Sequence, residues 1–248
     1  MKSFNAIFFI FLFTIVSFQA EAQLQFGIQV GVNNGKTYFK NNPEDNLTAI
    51  TRLRIGLTTD YTINEKFNLQ TSFLLTSKGW KGSSYREDIF SSTSKRIFDN
   101  KTTTVYTYLE VPIHLVYKMN NFQFYGGTYL GFGLTGYSKQ DYKLVEIENG
   151  KADVIEFTSI PSLKPTYGKT SFANSNSLDT REPFNGFDYG LDLGLGYKLG
   201  RFLLNGGYSL GLGNIAPNIE NKEFRKQRLS QHRNFTVSLS YFFGKKTK

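Results

Sequence analysis

Eight stretches of strict two-residue alternation, joined by connections that are short and long in strict turn, constrain this chain more than any other feature. In residues 24–33, Phe26, Ile28, Val30 and Val32 share one face, and Gln25, Gly27, Gln29 and Gly31 share the other. In 51–63, Leu53, Ile55, Leu57, Tyr61 and Ile63 oppose Arg52, Arg54, Gly56, Thr58 and Asp60. The same period recurs in 67–77, 103–118, 122–137, 187–198, 201–213 and 234–243. A period of two is the signature of a strand with one apolar and one polar face. Asn64-Glu65, Asn120-Asn121 and Gly200 join strands two to three, four to five and six to seven through tight turns. The other connections, 34–49, 78–102, 138–183 and 214–233, are long and polar. Short turns at one end and long loops at the other are the arrangement of an outer-membrane barrel, with periplasmic turns and extracellular loops. Because the chain begins and ends on a periplasmic side, the strand count is even. The expected fold is all-β, an eight-stranded antiparallel up-and-down transmembrane barrel. A soluble sandwich would turn the apolar stripe inward and would not force the connection lengths to alternate.

The first residues point to the same compartment. Lys2 is followed by an apolar run over 6–18 and by Ala20-Glu21-Ala22, an A-x-A cleavage pattern. Residues 1–22 therefore read as a signal peptide, too short for a spanning helix, and 23–248 as the barrel domain. With no cysteine in the chain, neither a lipid anchor on cysteine nor a disulfide framework is available. A mean hydropathy of −0.33 looks soluble. A barrel strand, however, shows lipid only every second side chain, so its average is modest by construction. The net charge of +9 is scattered, with no basic helix or aromatic–basic patch, so nucleic acid is not an expected partner. Outer-membrane lipids and anionic lipopolysaccharide are, together with the barrel assembly machinery during insertion and envelope or secretion-system proteins.

Outward aromatics cluster at the short-turn end. Tyr61 and Phe67 flank the first tight turn, Tyr117 and Phe122 the second, Tyr197 and Phe202 the third, and Tyr241 and Phe243 close the last strand. They form the expected periplasmic girdle.

Inward charges are the most informative polar constellation. Counted up from the tight turns, Arg54, Glu110 and Asp188 or Asp192 fall at similar heights near mid-membrane, with Arg52 just above. Eight strands leave a lumen that side chains can fill. A cross-lumen network of ion pairs that plugs the barrel is the expectation, with inward Tyr108, Tyr125 and Tyr129 as filler over glycines. A proton or ion pathway is the competing reading. Pro112, in mid-strand, marks either a distortion or a nitrogen that points where no bond is needed. Within 138–183, the runs 142–148 and 152–157 surround Asn149-Gly150, a hairpin signal placed above the membrane. If that hairpin joined the ring, the barrel would have ten strands.

Enzymatic signals are thin. The chain has two histidines, His114 and His232, and no H-E-x-x-H or G-x-S-x-G pattern. His232 is expected near the outer rim, as a polar residue rather than a catalytic base. No catalytic residue, metal site or cofactor is expected.

The stretch from Tyr108 to Lys118, YLEVPIHLVYK, resembles the corresponding strand of PorT-like outer-membrane β-barrel proteins. Gly126-Gly127-Thr128-Tyr129-Leu130-Gly131, Phe187-Asp188-Tyr189-Gly190, Gly194-Leu195-Gly196-Tyr197 and Tyr208-Ser209-Leu210-Gly211-Leu212 are similar to later strands of that family. The resemblance implies an outer-membrane barrel of Bacteroidota type. Its name-giving members assist type IX protein secretion; others have no assigned role, and the family carries no catalytic residues. Three functions are consistent with the residues: a non-enzymatic envelope protein acting through loops or partners, such as a secretion accessory; a surface receptor or adhesin; and, last, a lipid-modifying or proteolytic barrel enzyme.

Overall fold

The computed structural model describes residues 24–39, 47–91, 93–149, 151–167, 182–217 and 229–243. The segment expected to be a signal peptide lies outside them. The described residues form eleven strands and no helix. These are β1 (Leu24–Phe39), β2 (Thr48–Thr62), β3 (Phe67–Ser91), β4 (Ser94–Met119), β5 (Phe122–Glu148), β6 (Lys151–Ser159), β7 (Ser162–Thr166), β8 (Glu182–Asn185), β9 (Phe187–Leu199), β10 (Phe202–Gly211) and β11 (Ser230–Phe243).

Eight of them close a ring. Each of β1 to β5 pairs antiparallel with the next, β5 pairs with β9, and β9, β10 and β11 follow in order. The first and last strands seal the barrel over a continuous ladder from Phe26↔Phe243 to Phe39↔Ser230. Closure removes the edge strands that hydrocarbon cannot satisfy with hydrogen bonds.

The tight turns hold because their residues tolerate the required backbone. Asn120 has φ 55° and Gly200 φ 63°, both left-handed. The Asn64 side-chain oxygen accepts from the backbone N–H groups of Lys66 (2.9 Å) and Phe67 (2.8 Å), closing the first turn.

The burial pattern is inside-out. Leu53 (72% exposed), Leu193 (68%) and Phe235 (65%) stand on the outer surface, while Glu110, Asp188, Gln70 and Asn68 are buried in the lumen. From Leu53 to Ile63 the apolar face covers ~33 Å along the strand at ~3.3 Å per residue. At a tilt of ~40° this spans ~25 Å of membrane, the height of a lipid-facing band.

Several strands outrun their sequence signal. β1 continues six residues past 33, and β3 and β4 run on to a tip at 91–94, where a loop over 78–102 is expected. Beyond the bilayer neither face must be apolar, so the alternation fades while backbone pairing continues. The Asn149 hairpin forms, with Asn149 at φ 49° and β6 paired to the upper half of β5. It does not join the ring, since the lower half of β5 pairs with β9; the ring has eight strands, not ten. Above the level of Lys81, strands β3, β4, β5 and β6 therefore stand as a four-stranded sheet. Its nine or so residues per strand rise about 30 Å along the strand direction. Short β7 pairs with β5 at Gly136 and Tyr137 and runs parallel to β8.

Pro112 leaves a gap rather than a bulge. The β3–β4 register stays in step on both sides of it (Thr71↔Ile113, Leu74↔Glu110), and only the pairs between are missing. Its carbonyl accepts from the Thr71 hydroxyl at 2.8 Å. The register slips elsewhere, on β2–β3 between Ala49 and Arg54 and on β4–β5 between Thr107 and Tyr108.

Candidate functional site

Neighbouring registers bring charges from four strands to one level of the lumen. Glu110 on β4, Gly131 on β5 and Asp188 on β9 lie in one row across the ladder. Gly131 contributes no side chain, and a Cβ there would sit 3.3 Å from the Asp188 Cβ. Lys78 of β3 reaches the two carboxylates that flank this glycine. The Lys78 ammonium lies 2.5 Å from Glu110 Oε2 and 3.1 Å from Asp188 Oδ2, while Arg54 Nη2 lies 3.2 Å from Glu110 Oε1. The Tyr129 hydroxyl donates to Asp188 at 3.1 Å, and the ammonium stands 4.1 Å from the centre of the Tyr129 ring. Two cations thus face two carboxylates, and all four side chains are at most 8% exposed. Balance is what burial requires, because an uncompensated charge in a dry interior costs several kcal/mol.

A second cluster lies below. His114 Nε2 and Asp192 Oδ2 are 2.9 Å apart, and the Tyr125 ring stacks on the imidazole with centroids 4.7 Å apart. These residues, with Arg54, Gln29, Ser72 and Pro112, line a cavity of about 20 Å³, space for roughly one water. Nearer the periplasm, Lys198 lies 3.3 Å from Asp60, which also accepts from the Asn68 amide at 2.8 Å.

Glycines on β9 and β10 give the tyrosines their seats. A Cβ at Gly190 would meet Tyr129 Cε1 at 2.6 Å, and one at Gly207 would meet the Tyr125 hydroxyl at 2.1 Å. The Tyr125 and Tyr129 rings thus lie over positions that only glycine leaves open.

At the outer end the lumen changes character. His232, with no exposed surface, has Nε2 3.3 Å from the Tyr108 hydroxyl and lies edge-on to Tyr106 and Tyr108. Tyr106 and Tyr108 in turn contact Phe184 of β8, with centroids 5.0 and 6.1 Å away. Above this aromatic layer opens a cavity of about 710 Å³, lined by the outer ends of β1 and β11, by β3, β4 and β5 at the foot of the projecting sheet, by β7 and β8, and by residues 215–217.

The outer-membrane protein beta-barrel domain family matches residues 18–216, most of the chain. The chain belongs to that family. Outer-membrane residence follows from the family and from the lipid-facing band together. No curated protein matches this sequence. Among solved structures, the chain is similar to Ail, the attachment invasion locus protein of Yersinia pestis. The identity is 13%, over 89% of this chain and 99% of Ail, with a TM-score of 0.37. It is also similar to Neisserial surface protein A, at 12% identity over 88% and 97% of the two chains and a TM-score of 0.34. The translocator domain of the autotransporter NalP from Neisseria meningitidis shares 10% identity over 93% and 92%, with a TM-score of 0.27.

Within this outer-membrane barrel, the residues singled out in the sequence separate into groups. Arg54, Glu110 and Asp188 meet, through Lys78. Asp192 does not; it pairs with His114 one layer down. Arg52 lies outside both clusters, and its guanidinium donates to the Tyr137 hydroxyl at 3.3 Å in an exposed contact. Between Ala49 and Arg54 the β2–β3 ladder is interrupted and its register shifts, so Arg52 has no partner on β3. His232 lies near the outer end of β11, two residues below Ser230, and is fully buried in the aromatic layer. Lys78 is the residue that sequence reasoning assigned to a loop. Its signal was parity with Ser72, Leu74 and Thr76, masked because Ser77 and Gly79 offer no apolar contrast.

The girdle positions pair across strands: Phe67 with Tyr117, Phe122 with Tyr197, and Phe202 with Tyr241, their ring centroids 5.1–5.4 Å apart. Phe243 packs edge-on to Tyr241, and Tyr61 pairs with Leu24 and Leu69 at the same end.

Proposed function

We propose that this protein is a non-enzymatic, non-conducting surface barrel that binds a macromolecular partner through the sheet standing above the membrane. The observation that carries the reading is the projection itself. Strands β3 to β6 rise beyond the rest of the ring and present Tyr85, Ile89, Phe90, Val154, Ile155 and Phe157, each more than half exposed. Ion pairs Arg96–Glu146 (2.7 Å) and Lys143–Glu156 (2.7 Å) tie its strands laterally. An exposed apolar surface ordered in this way is an expensive feature unless something covers it. The charge-balanced lumen supports the other half of the reading: it makes the barrel a scaffold rather than a passage.

The test is to replace the projection by tight turns between 82 and 102 and between 140 and 159, and to compare the cells with a clean deletion. Lost partner or host-surface binding in both strains, with normal secretion, is the expected outcome. Exported proteins trapped in the periplasm of the deletion strain alone would overturn the binding reading in favour of a secretion accessory, the role that PorT-like relatives suggest.

A further inference from the structure

The outer-mouth cavity is a different feature from the projection, and it has its own chemistry. One wall is apolar and aromatic. Phe39 and Trp80 meet edge-to-face with centroids 5.7 Å apart, and Phe184, Leu163 and Ile215 continue that surface. Directly beside Trp80 runs a strip of short polar side chains in ladder register, Trp80 next to Thr104, Thr104 beside Ser138 and Thr102 beside Gln140. The Thr104 and Ser138 hydroxyls lie 3.1 Å apart and satisfy one donor between them, which leaves acceptor lone pairs free. The floor is the Tyr106–Tyr108–Phe184 layer, so the cavity is a closed-ended receptacle. Its volume of about 710 Å³ is within the ~300–1,000 Å³ of small-molecule sites, and barrel mouths are one of their usual places.

Charge selects among possible occupants. The whole chain has 29 Lys and Arg against 20 Asp and Glu, yet the described cavity lining contains no cation and one carboxylate, Glu182. A site for phosphate, sulfate or an acidic sugar would need the opposite composition. We infer that the mouth cavity binds a small aromatic amphiphile without an anionic group, its ring system against Trp80 and Phe184 and its polar end toward Ser138 and Gln140. A cationic end is favoured by Glu182. This site is separate from the partner surface proposed above, and either can exist without the other.

Trp80 is the single tryptophan of the chain and so reports on the site directly. The experiment is energy transfer from Trp80 to dansyl probes, with the full-length protein in phosphatidylcholine nanodiscs. Cationic dansylcadaverine, neutral dansylamide and anionic dansylglycine are compared. Saturable transfer is expected for the first two, with dansylglycine at least tenfold weaker. Glu182→Gln should reduce the preference for dansylcadaverine over dansylamide at least threefold and leave dansylamide binding unchanged. Ser138→Phe, which fills the cavity, should abolish saturable transfer. Should Ser138→Phe fail to give a heat-modifiable barrel, Gln140→Lys takes its place, and should weaken dansylcadaverine about tenfold while strengthening dansylglycine. Transfer that rises linearly with probe, that is equal for the three charges, or that is unchanged in every folded variant would overturn the proposal.

Discussion

Lys78→Met is the most direct test of the lumen's charge balance. The substitution keeps much of the side-chain volume but removes the ammonium that lies 2.5 Å from Glu110 and 3.1 Å from Asp188. The two carboxylates lose it unequally. Glu110 keeps Arg54 at 3.2 Å, whereas among the described residues Asp188 keeps only the neutral Tyr129 hydroxyl. Removing one partner of a buried pair costs ~3–5 kcal/mol, because the other charge is left uncompensated. An independent ceiling agrees. Neutralising a carboxyl of ordinary pKa ~3.9 at pH ~7 costs ~1.4 kcal/mol per pH unit, or ~4 kcal/mol, and the molecule need not pay more than that. The lost cation–π contact with Tyr129 adds ~0.5–2 kcal/mol. Urea unfolding in liposomes, with SDS-gel heat-modifiability as a second probe, should therefore show a deficit of about 4–6 kcal/mol. The double variant Lys78→Met/Asp188→Asn should regain at least half of it, since the stranded charge is gone. If Lys78→Met cost under 1 kcal/mol, or if Asp188→Asn added to the deficit rather than relieving it, the four groups would not form one energetic unit.

Other consequences are equally specific. Gly190→Ala should destabilise the barrel by ~1–3 kcal/mol, because its Cβ would meet the Leu210 carbonyl at 2.2 Å and the Tyr129 ring at 2.6 Å; equilibrium unfolding reads it. A double-mutant cycle on Phe122 and Tyr197, whose rings lie 5.1 Å apart, should give a coupling of ~0.5–1.5 kcal/mol in liposomes and less in detergent, where no interface positions the pair. In planar bilayers the wild-type barrel should show no stable conductance, and discrete, sustained openings would refute the sealed-lumen reading. On the projection, the hydrogen bond and charge of Lys95 hold the Glu87 carboxyl below its ordinary range. The support this pair lends is present above that range and is lost as pH falls through the lowered value. A carboxyl-carbon NMR titration should show a depressed Glu87 midpoint that returns toward normal in Lys95→Ala.

How far each feature was legible depends on which environment its residues face. The lipid-facing rows, such as Leu53, Ile55 and Leu57, are read at once, because hydrocarbon demands an apolar side chain at every second position. The upper halves of β3, β4 and β5 are not, because in water both faces can be polar and the period disappears. The lumen gave an intermediate result: Arg54, Glu110 and Asp188 stand out as charges among glycines and hydroxyls, but Lys78 looks like the first residue of a loop.

The barrel class, the up-and-down order of its strands and the end that faces the cell surface were already determined by the sequence, whereas the choice of eight strands over ten waited on the pairing of β5 with β9. Hydrophobic period and connection length are local properties, and the bilayer constrains both directly. Which charge meets which partner was decided only by the tertiary structure. That choice depends on register across four strands: Arg54 meets Glu110, whereas Arg52, two residues earlier, donates to Tyr137 instead. The mouth cavity is likewise a tertiary fact. Its lining comes from strands far apart in the chain, and no local pattern places Trp80 in one row with Thr104 and Ser138.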